Sequence, residues 1–128
     1  MSSYKTIYLA DDDPDDRFLI MEAIRETNKK VNVVEVTNGL ELLNTIQQLT
    51  DPSQALILLD MNMPLMNGLE AIVAIRTNPI FSDIHATMMS TSSDPSLAER
   101  AFKAGVNSYF TKPDTFEGFV SMAQQLVV

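Results

Sequence analysis

Five short apolar runs alternate along the chain with segments of helical periodicity, and this alternation constrains the fold more than any other feature. The runs cover residues 7–10, 31–36, 55–59, 86–89 and 106–110, and each has the length of a β-strand. The run at 55–59 is apolar at every position, which is typical of a strand covered on both faces in a parallel sheet. We therefore predict that it is the central strand.

The segments between the runs begin with helix-capping signals. The signals are of two kinds: an aspartate before a proline, and an asparagine or aspartate followed three residues later by glutamate. They occur at Asp13-Pro14, Asn38 to Glu41, Asn67 to Glu70, Asp94-Pro95 and Asp114 to Glu117. These signals predict five helices that begin near residues 14, 39, 68, 95 and 115.

Strands that alternate with helices predict right-handed crossovers and a three-layer α/β sandwich, with five parallel strands and five helices. A length of 128 residues fits one domain, residues 1–128, and we expect no output domain because the chain ends directly after the fifth helix. Ligands of such sheets bind beyond the carboxyl ends of the strands. The residues that follow each apolar run are therefore the candidates for function.

The charge balance narrows the class of partner. Nine basic and seventeen acidic residues give a net charge of -8, which repels nucleic acids and anionic membranes. The absence of cysteine and the single histidine exclude disulfides and zinc sites. No apolar run approaches the roughly 20 residues of a membrane span. We expect a cytoplasmic protein whose partner is a protein, a cation or both.

Carboxylates follow two of the apolar runs. Asp11 and Asp12 come directly after the first run, and Asp60 ends the third. If these strands are neighbours, like charges about 4 Å apart repel by roughly 4 kcal/mol per pair at an effective dielectric of 20. Such a cluster needs a cation or raised pKa values, and ligands that are all oxygen suit Mg²⁺. The sequence therefore predicts a magnesium site, whereas Asp13 is interpreted as a helix cap.

A hydroxyl and an ammonium follow the last two runs. Ser90 directly follows the fourth run and Lys112 lies just beyond the fifth, so both are expected at the same edge of the sheet as the carboxylates. These groups can hold the oxygens of an acyl phosphate while Mg²⁺ neutralises the remaining charge. The pattern favours phosphoryl transfer to Asp60.

In this order the motifs resemble the receiver domain of two-component response regulators, the chemotaxis-regulator-like family. The resemblance covers essentially the whole chain and implies the flavodoxin-like strand order 2-1-3-4-5. Its motifs are the acidic pair Asp11-Asp12, the segment Leu59-Asp60-Met61-Asn62-Met63-Pro64 with Asn67-Gly68, and then Ser90, Tyr109 and Lys112-Pro113. The segments 11–17 and 62–64 further resemble stand-alone bacterial receivers, some of which work with phytochrome-like kinases.

The resemblance implies a role for each site residue. Asp60 is implied as the phosphoacceptor, which takes a phosphoryl group from a phosphohistidine on a sensor histidine kinase or a histidine phosphotransfer protein. Ser90 and Lys112 are implied to bind the phosphate. The implied Mg²⁺ ligands are Asp11, Asp12, Asp60 and the backbone carbonyl of Asn62.

The resemblance also implies how the signal leaves the site. Ser90 and Tyr109 are the expected switch residues, which remodel the surface formed by the fourth helix, fifth strand and fifth helix. Asn62 and Ser92 match the positions that tune phosphate lifetime, and the peptide bond between Lys112 and Pro113 is expected to be cis.

We interpret this chain as a phosphorylatable signalling switch rather than an enzyme. Its downstream protein partner is unknown, and a homodimer is possible. The main alternative is a receiver-like scaffold that binds proteins without phosphorylation. An aspartyl-phosphate phosphohydrolase would need a second acid where Asn62 stands, and a flavin carrier would need a first loop rich in hydroxyls and glycine. The apolar end at 126–128 could be a core edge or part of a dimer face.

Overall fold

Five strands and five helices alternate along residues 4–127, the part of the chain that this computed structural model describes. The predicted helix starts are confirmed to within one residue. Two short 3-10 turns, Pro52–Gln54 and Pro79–Phe81, precede the third and fourth strands. The elements are β1 Thr6–Ala10, α1 Pro14–Thr27, β2 Asn32–Val36, α2 Gly39–Ile46, β3 Ala55–Asp60, α3 Gly68–Arg76, β4 His85–Ser90, α4 Pro95–Ala104, β5 Ser108–Thr111 and α5 Phe116–Val127.

The strands form one parallel sheet in the order β2-β1-β3-β4-β5, which confirms the expected architecture. The central strand is β3, and all six of its residues are buried. Ala10 of β1 pairs with Leu59 of β3, and Asp60 pairs with Met89 of β4. This register brings the carboxyl ends of β1, β3 and β4 to one edge of the sheet.

Helices cover both faces of the sheet. On one face Leu9 and Leu58 pack with Ile20 of α1 and Phe119 of α5. On the other face the residues that alternate with them pack against α2, α3 and α4. No helix within residues 4–127 is long and apolar enough to cross a membrane.

The apolar stripe of α5 ends at the edge of the core. Val127 is buried in the cluster between α1 and α5, and Leu126 packs against the same cluster. The core-edge interpretation therefore holds for Val127, whereas Val128 lies outside the described residues.

The fifth strand begins later than the apolar run suggested. The amides of Gly105 and Val106 both donate to the carbonyl oxygen of Ala101, at 3.1 and 3.2 Å, so this segment caps α4. Val106 is buried because an apolar residue after a helix-ending glycine commonly packs back on its helix. The run at 106–110 therefore combined a helix cap with a strand that starts at Ser108.

Gly105 is required by both its conformation and its surroundings. Its φ is 122°, a region that L side chains rarely adopt, and an added Cβ would lie 2.8 Å from Cγ of Arg76. Arg76 cannot move freely, because its guanidinium donates to the carbonyl oxygens of Gly105 and Phe81 and to Oδ1 of Asn107.

We expect Gly105→Ala to lower the free energy of unfolding by about 1–3 kcal/mol, because it adds backbone strain and a contact with Arg76. Urea denaturation measures this change. Lys103→Ala, at an exposed position of the same helix, is the control and should change stability by no more than about 0.5 kcal/mol. Equal midpoints for Gly105→Ala and the wild type would contradict the prediction.

Candidate functional site

Three carboxylates converge where β1 and β3 end. Asp11 follows β1 and Asp60 is the last residue of β3, so the pairing of these strands places them side by side. Asp12 completes the group, and one oxygen from each of the three residues lies within 4.8 Å of the others. Asp11 is 0% exposed and Asp60 is 7% exposed, while Asp12 faces solvent. The cluster is buried on one side and open to water on the other.

Burial makes the negative charge of this cluster costly. Burial raises the pKa of Asp60 to about 6; the nearby Lys112 opposes this shift and the charge of Asp11 adds to it. Burial also raises the pKa of Asp11, against the hydrogen bonds from Lys112 and from the backbone amide of Asp13. The site therefore carries more negative charge than the Lys112 ammonium balances.

The donor set fits Mg²⁺. It offers carboxylate oxygens without any nitrogen or sulfur, and its open side leaves room for the waters that Mg²⁺ retains. An open groove of ≈ 430 Å³ adjoins this side and is lined by Asp12, Asn62, Met63, Pro64 and Asn67. The backbone amide of Asn62 lies 3.4 Å from Oδ1 of Asp60, so the Asn62 backbone is at the mouth of the site.

Lys112 supplies the cation of the site. Its Nζ lies 2.8 Å from Oδ2 of Asp11, 2.9 Å from Oδ2 of Asp16 and 3.4 Å from Oδ2 of Asp60, and its side chain is 5% exposed. Burial lowers the pKa of Lys112, but the hydrogen bonds and charges of these carboxylates outweigh burial and raise it. Lys112 is therefore an ammonium across the physiological pH range.

Sequence reasoning missed the contact between Lys112 and Asp16. Asp16 lies in the first turn of α1, where the helix dipole favours negative charge, so its position has a local explanation that does not involve Lys112. The sequence feature that could have revealed the contact is the position of Asp16, one turn into α1 and five residues after Asp11, close to the same edge of the sheet.

Arg17 also supports the loop that carries the acidic pair. Its Nη1 donates to the carbonyl oxygen of Asp11 at 2.6 Å, and its Nε pairs with Glu35 at 3.1 Å. The amide of Asp11 donates to the carbonyl oxygen of Val36, which ties the same residue to the end of β2. These contacts hold the Asp11 backbone in place from two sides.

The expectation of a cis peptide bond before Pro113 is wrong for this structure, which has no cis peptide bond in the described residues. The trans isomer is favoured by about 0.5–1 kcal/mol before proline. With the trans bond the amide of Lys112 donates to the carbonyl oxygen of Ser90 at 2.6 Å, and Nζ still contacts the carboxylates. A cis bond is not needed to direct the lysine into the site.

Ser90 and Tyr109 are connected through Ser92. The buried Oγ of Ser90 accepts from the amide of Ser92 at 3.1 Å, and the hydroxyl of Tyr109 donates to the carbonyl oxygen of Ser92 at 3.4 Å. The half-buried ring of Tyr109 packs against the core on the α3 and α4 side of the sheet. The Oγ of Ser92 accepts from the amide of Asp94, and no hydrogen bond within residues 4–127 joins it to Asn62.

The first turn of α3 packs directly on the backbone of Asp60. The amide of Gly68 donates to the carbonyl oxygen of Met61 at 2.9 Å, and a Cβ at Gly68 would lie 2.5 Å from the carbonyl oxygen of Asp60. Only glycine permits this approach. Asn67 and Glu70 form the capping box that fixes the start of the helix.

Comparisons with known proteins agree with this geometry. A family model described as response regulator receiver domain matches residues 7–124. Chemotaxis protein CheY1 of Helicobacter pylori is 31% identical over 104 residues, which cover 79% of this chain and 82% of CheY1.

Two solved structures are similar over almost the whole chain. The phosphorylated cyanobacterial phytochrome response regulator RcpA has a TM-score of 0.86 at 27% identity, with coverage of 97% of this chain and 91% of RcpA. The Mn²⁺-bound form of response regulator Rcp1 has a TM-score of 0.81 at 26% identity, with coverage of 95% and 91%. The matched family model, the fold and the acidic site with its lysine agree, and the chain belongs to the response regulator receiver domain family.

Proposed function

We propose that this receiver domain is a phosphorylatable signalling switch in which Asp60 accepts a phosphoryl group from a phosphohistidine. The observation that carries the proposal is the convergence of Asp11, Asp12 and Asp60 beside an open groove that Asp12 lines, with the Lys112 ammonium in contact with Asp11 and Asp60. Receiver domains are signalling switches rather than classical enzymes, and this site holds the groups that such a switch needs.

In the proposed transfer an Asp60 carboxylate oxygen forms a bond to phosphorus while the bond between phosphorus and the imidazole nitrogen breaks, and the imidazole leaves with that electron pair. Asp11, Asp12, Asp60 and the Asn62 carbonyl would hold Mg²⁺, which supplies positive charge to the phosphoryl oxygens. Lys112 and the Ser90 hydroxyl would contact the phosphoryl oxygens of the product.

Two relatives support this chemistry. RcpA has been solved in a phosphorylated form, and Rcp1 has been solved with a bound divalent cation. The carboxylates of the present chain offer the all-oxygen donor set that a divalent cation requires. The proposed partner is a sensor histidine kinase or a histidine phosphotransfer protein, and a phytochrome-type kinase is the first to test because RcpA is a phytochrome response regulator.

The proposed output passes through the contacts between Ser90, Ser92 and Tyr109. A phosphoryl group that draws the Ser90 hydroxyl toward Asp60 would pull on the Ser92 amide and alter the support of the Tyr109 hydroxyl. A coupling of about 1–3 kcal/mol is enough to shift such an equilibrium. We propose that the surface of α4, β5 and α5 then binds a downstream protein or a second copy of this chain. We also propose that Asn62 and Ser92 tune the phosphate lifetime. The proposed location of this receiver domain is the cytoplasm.

The test is the intact mass of the protein after incubation with acetyl phosphate, in Mg²⁺ and in EDTA. We expect one phosphoryl adduct that forms only with Mg²⁺. Borohydride reduction of an aspartyl phosphate yields homoserine, so peptide mass spectrometry should find homoserine at position 60. If neither acetyl phosphate nor phosphorylated histidine kinases give an adduct, the proposal is wrong and a protein-binding scaffold becomes the better interpretation.

A further inference from the structure

Asp16 occupies the third position of α1 but does not accept the hydrogen bond from the cap residue's amide that is usual for an acidic residue there. In α3 the corresponding Glu70 accepts from the amide of the cap residue Asn67 at 3.0 Å, which completes a capping box. In α1 the amide of the cap residue Asp13 donates instead to Oδ1 of Asp11 at 2.9 Å. The carboxylate of Asp16 therefore has no capping partner to hold it.

The Asp16 carboxylate contacts Lys112 of the functional site instead. Its Oδ2 accepts from Nζ of Lys112 at 2.9 Å, almost as close as Asp11 at 2.8 Å, whereas Asp60 is 3.4 Å away. Charge-assisted hydrogen bonds of this kind are typically about 2.7–2.9 Å long, so the two short contacts are the strong ones. The ammonium is bound mainly by Asp11 and Asp16, and Asp60 is its weakest partner.

We propose that Asp16 is a positioning residue that holds the Lys112 ammonium on the α1 side of the site, away from Asp60, before phosphorylation. This inference rests on the proposed function, because it concerns the readiness of Asp60 to bind Mg²⁺ and accept phosphate. The Asp16 side chain is 26% exposed and the Lys112 side chain 5%, so water screens this ion pair less than a surface pair.

Loss of the Asp16 charge should move the ammonium toward its remaining partners. Among residues 4–127, Asp11 and Asp60 are then the carboxylates that remain in contact with Nζ, and both belong to the proposed Mg²⁺ site. The ammonium and the cation would compete for the same oxygens. We therefore expect Asp16→Asn to raise the Mg²⁺ dissociation constant about three- to tenfold, with the same rise in the Mg²⁺ concentration that gives half-maximal phosphorylation.

Two variants control for charge and for structure. Asp15→Asn removes the same charge from the neighbouring exposed position and should change the Mg²⁺ affinity by less than about twofold. Asp16→Glu retains a carboxylate that can reach the flexible lysine, and should restore the affinity to within about twofold of the wild type. Titration calorimetry at low and high salt measures all of them. The Asp16→Asn effect should persist at 0.5 M KCl, because a contact inside the site is screened less than a charge that acts through solvent.

A readout without metal or phosphate completes the test. The proton–nitrogen NMR correlation of the Lys112 ammonium, recorded on metal-free protein, should shift and exchange faster with water in Asp16→Asn, but not in Asp15→Asn. An unchanged Lys112 signal, or equal Mg²⁺ affinities of Asp16→Asn and Asp15→Asn, would overturn the positioning role. A wild type that takes no phosphoryl group would instead overturn the proposed function alone, because the NMR and Mg²⁺ measurements do not require the transfer.

Discussion

Asp60→Asn is expected to abolish the phosphoryl adduct and, at the same time, to stabilise the metal-free protein at neutral pH. The adduct is lost because the amide is not a nucleophile for phosphorus. Stability rises because the amide removes a buried negative charge whose pKa is raised to about 6 by burial, with Asp11 adding to the repulsion. The difference between this pKa and the unfolded value near 3.9 corresponds to at most about 3 kcal/mol. We therefore expect the free energy of unfolding to rise by about 1–3 kcal/mol at pH 7.

The pH dependence of this gain has a defined sign. Since the pKa of Asp60 is higher in the folded state, its carboxyl group binds a proton more tightly there than in the unfolded chain. Its contribution to stability is fully present below about pH 4 and is lost as the pH rises through about 6. Asp60→Asn and the wild type should therefore be similarly stable at pH 4 and should diverge between pH 4 and 7.

Urea denaturation in EDTA at several pH values measures the difference. Mg²⁺ should narrow it by stabilising the wild type, by about 1.4 kcal/mol at ten times the dissociation constant, and should stabilise the variant less. Asp51→Asn is the control, because the pKa of the exposed Asp51 is lowered by its hydrogen bonds with Ser53 and its removal should not stabilise the protein. A variant no more stable than the wild type at pH 7 in EDTA would contradict the prediction.

Periodicity and the family resemblance together predicted which strand ends meet. The unbroken apolar run before Asp60 indicated a central strand, and parallel strands share the edge at which they end. The strand order that the resemblance implies placed β1 beside β3, and therefore Asp11 beside Asp60. Helix starts were equally predictable, because capping is local chemistry in which a side chain binds amides two or three residues away. The central strand and the helix starts depend only on periodicity and short-range hydrogen bonds, whereas the strand order needed the resemblance.

Three details were missed, each for a different physical reason. A lysine has several rotatable bonds, so nothing local to Lys112 indicates that Asp16 is one of its partners 96 positions earlier. The isomer of the Lys112–Pro113 bond was inferred from a family resemblance, and the structure has it trans. Periodicity could not show that Val106 lies outside β5, because a residue buried by a helix cap and a residue buried in a strand are both apolar.

Lys112→Met is the second change with a large expected effect. It leaves Asp11, with an exposure of 0%, and Asp60 without their ammonium partner. Removal of one partner from a buried ion pair typically costs about 3–5 kcal/mol, because the remaining charge is left uncompensated. We expect a loss of this size at pH 7 in EDTA, together with slower phosphorylation, since the variant lacks the ammonium that is proposed to contact the phosphoryl oxygens.

The Lys112→Met deficit should itself depend on pH and on Mg²⁺, and urea denaturation under matched conditions measures both. The ammonium opposes the rise in the pKa of Asp11 and Asp60, so without it their carboxyl groups should hold protons to still higher pH. The deficit should therefore be small below about pH 4, where both groups are protonated in the folded and unfolded states, and should grow as the pH rises. Mg²⁺ should reduce it, because the cation replaces the missing positive charge.

The control for Lys112→Met is Lys103→Met, which alters a lysine that is 77% exposed and pairs with Glu99 at 3.8 Å. An exposed pair of this kind contributes about 0–1 kcal/mol, so this variant should show neither the large loss nor the dependence on pH and Mg²⁺. A Lys112→Met deficit that is the same at pH 4 and pH 7, and unaffected by Mg²⁺, would mean that the deficit does not arise from the ionised carboxylates. The charge balance proposed for the site would then be wrong, because the carboxylates would not need the ammonium to remain ionised.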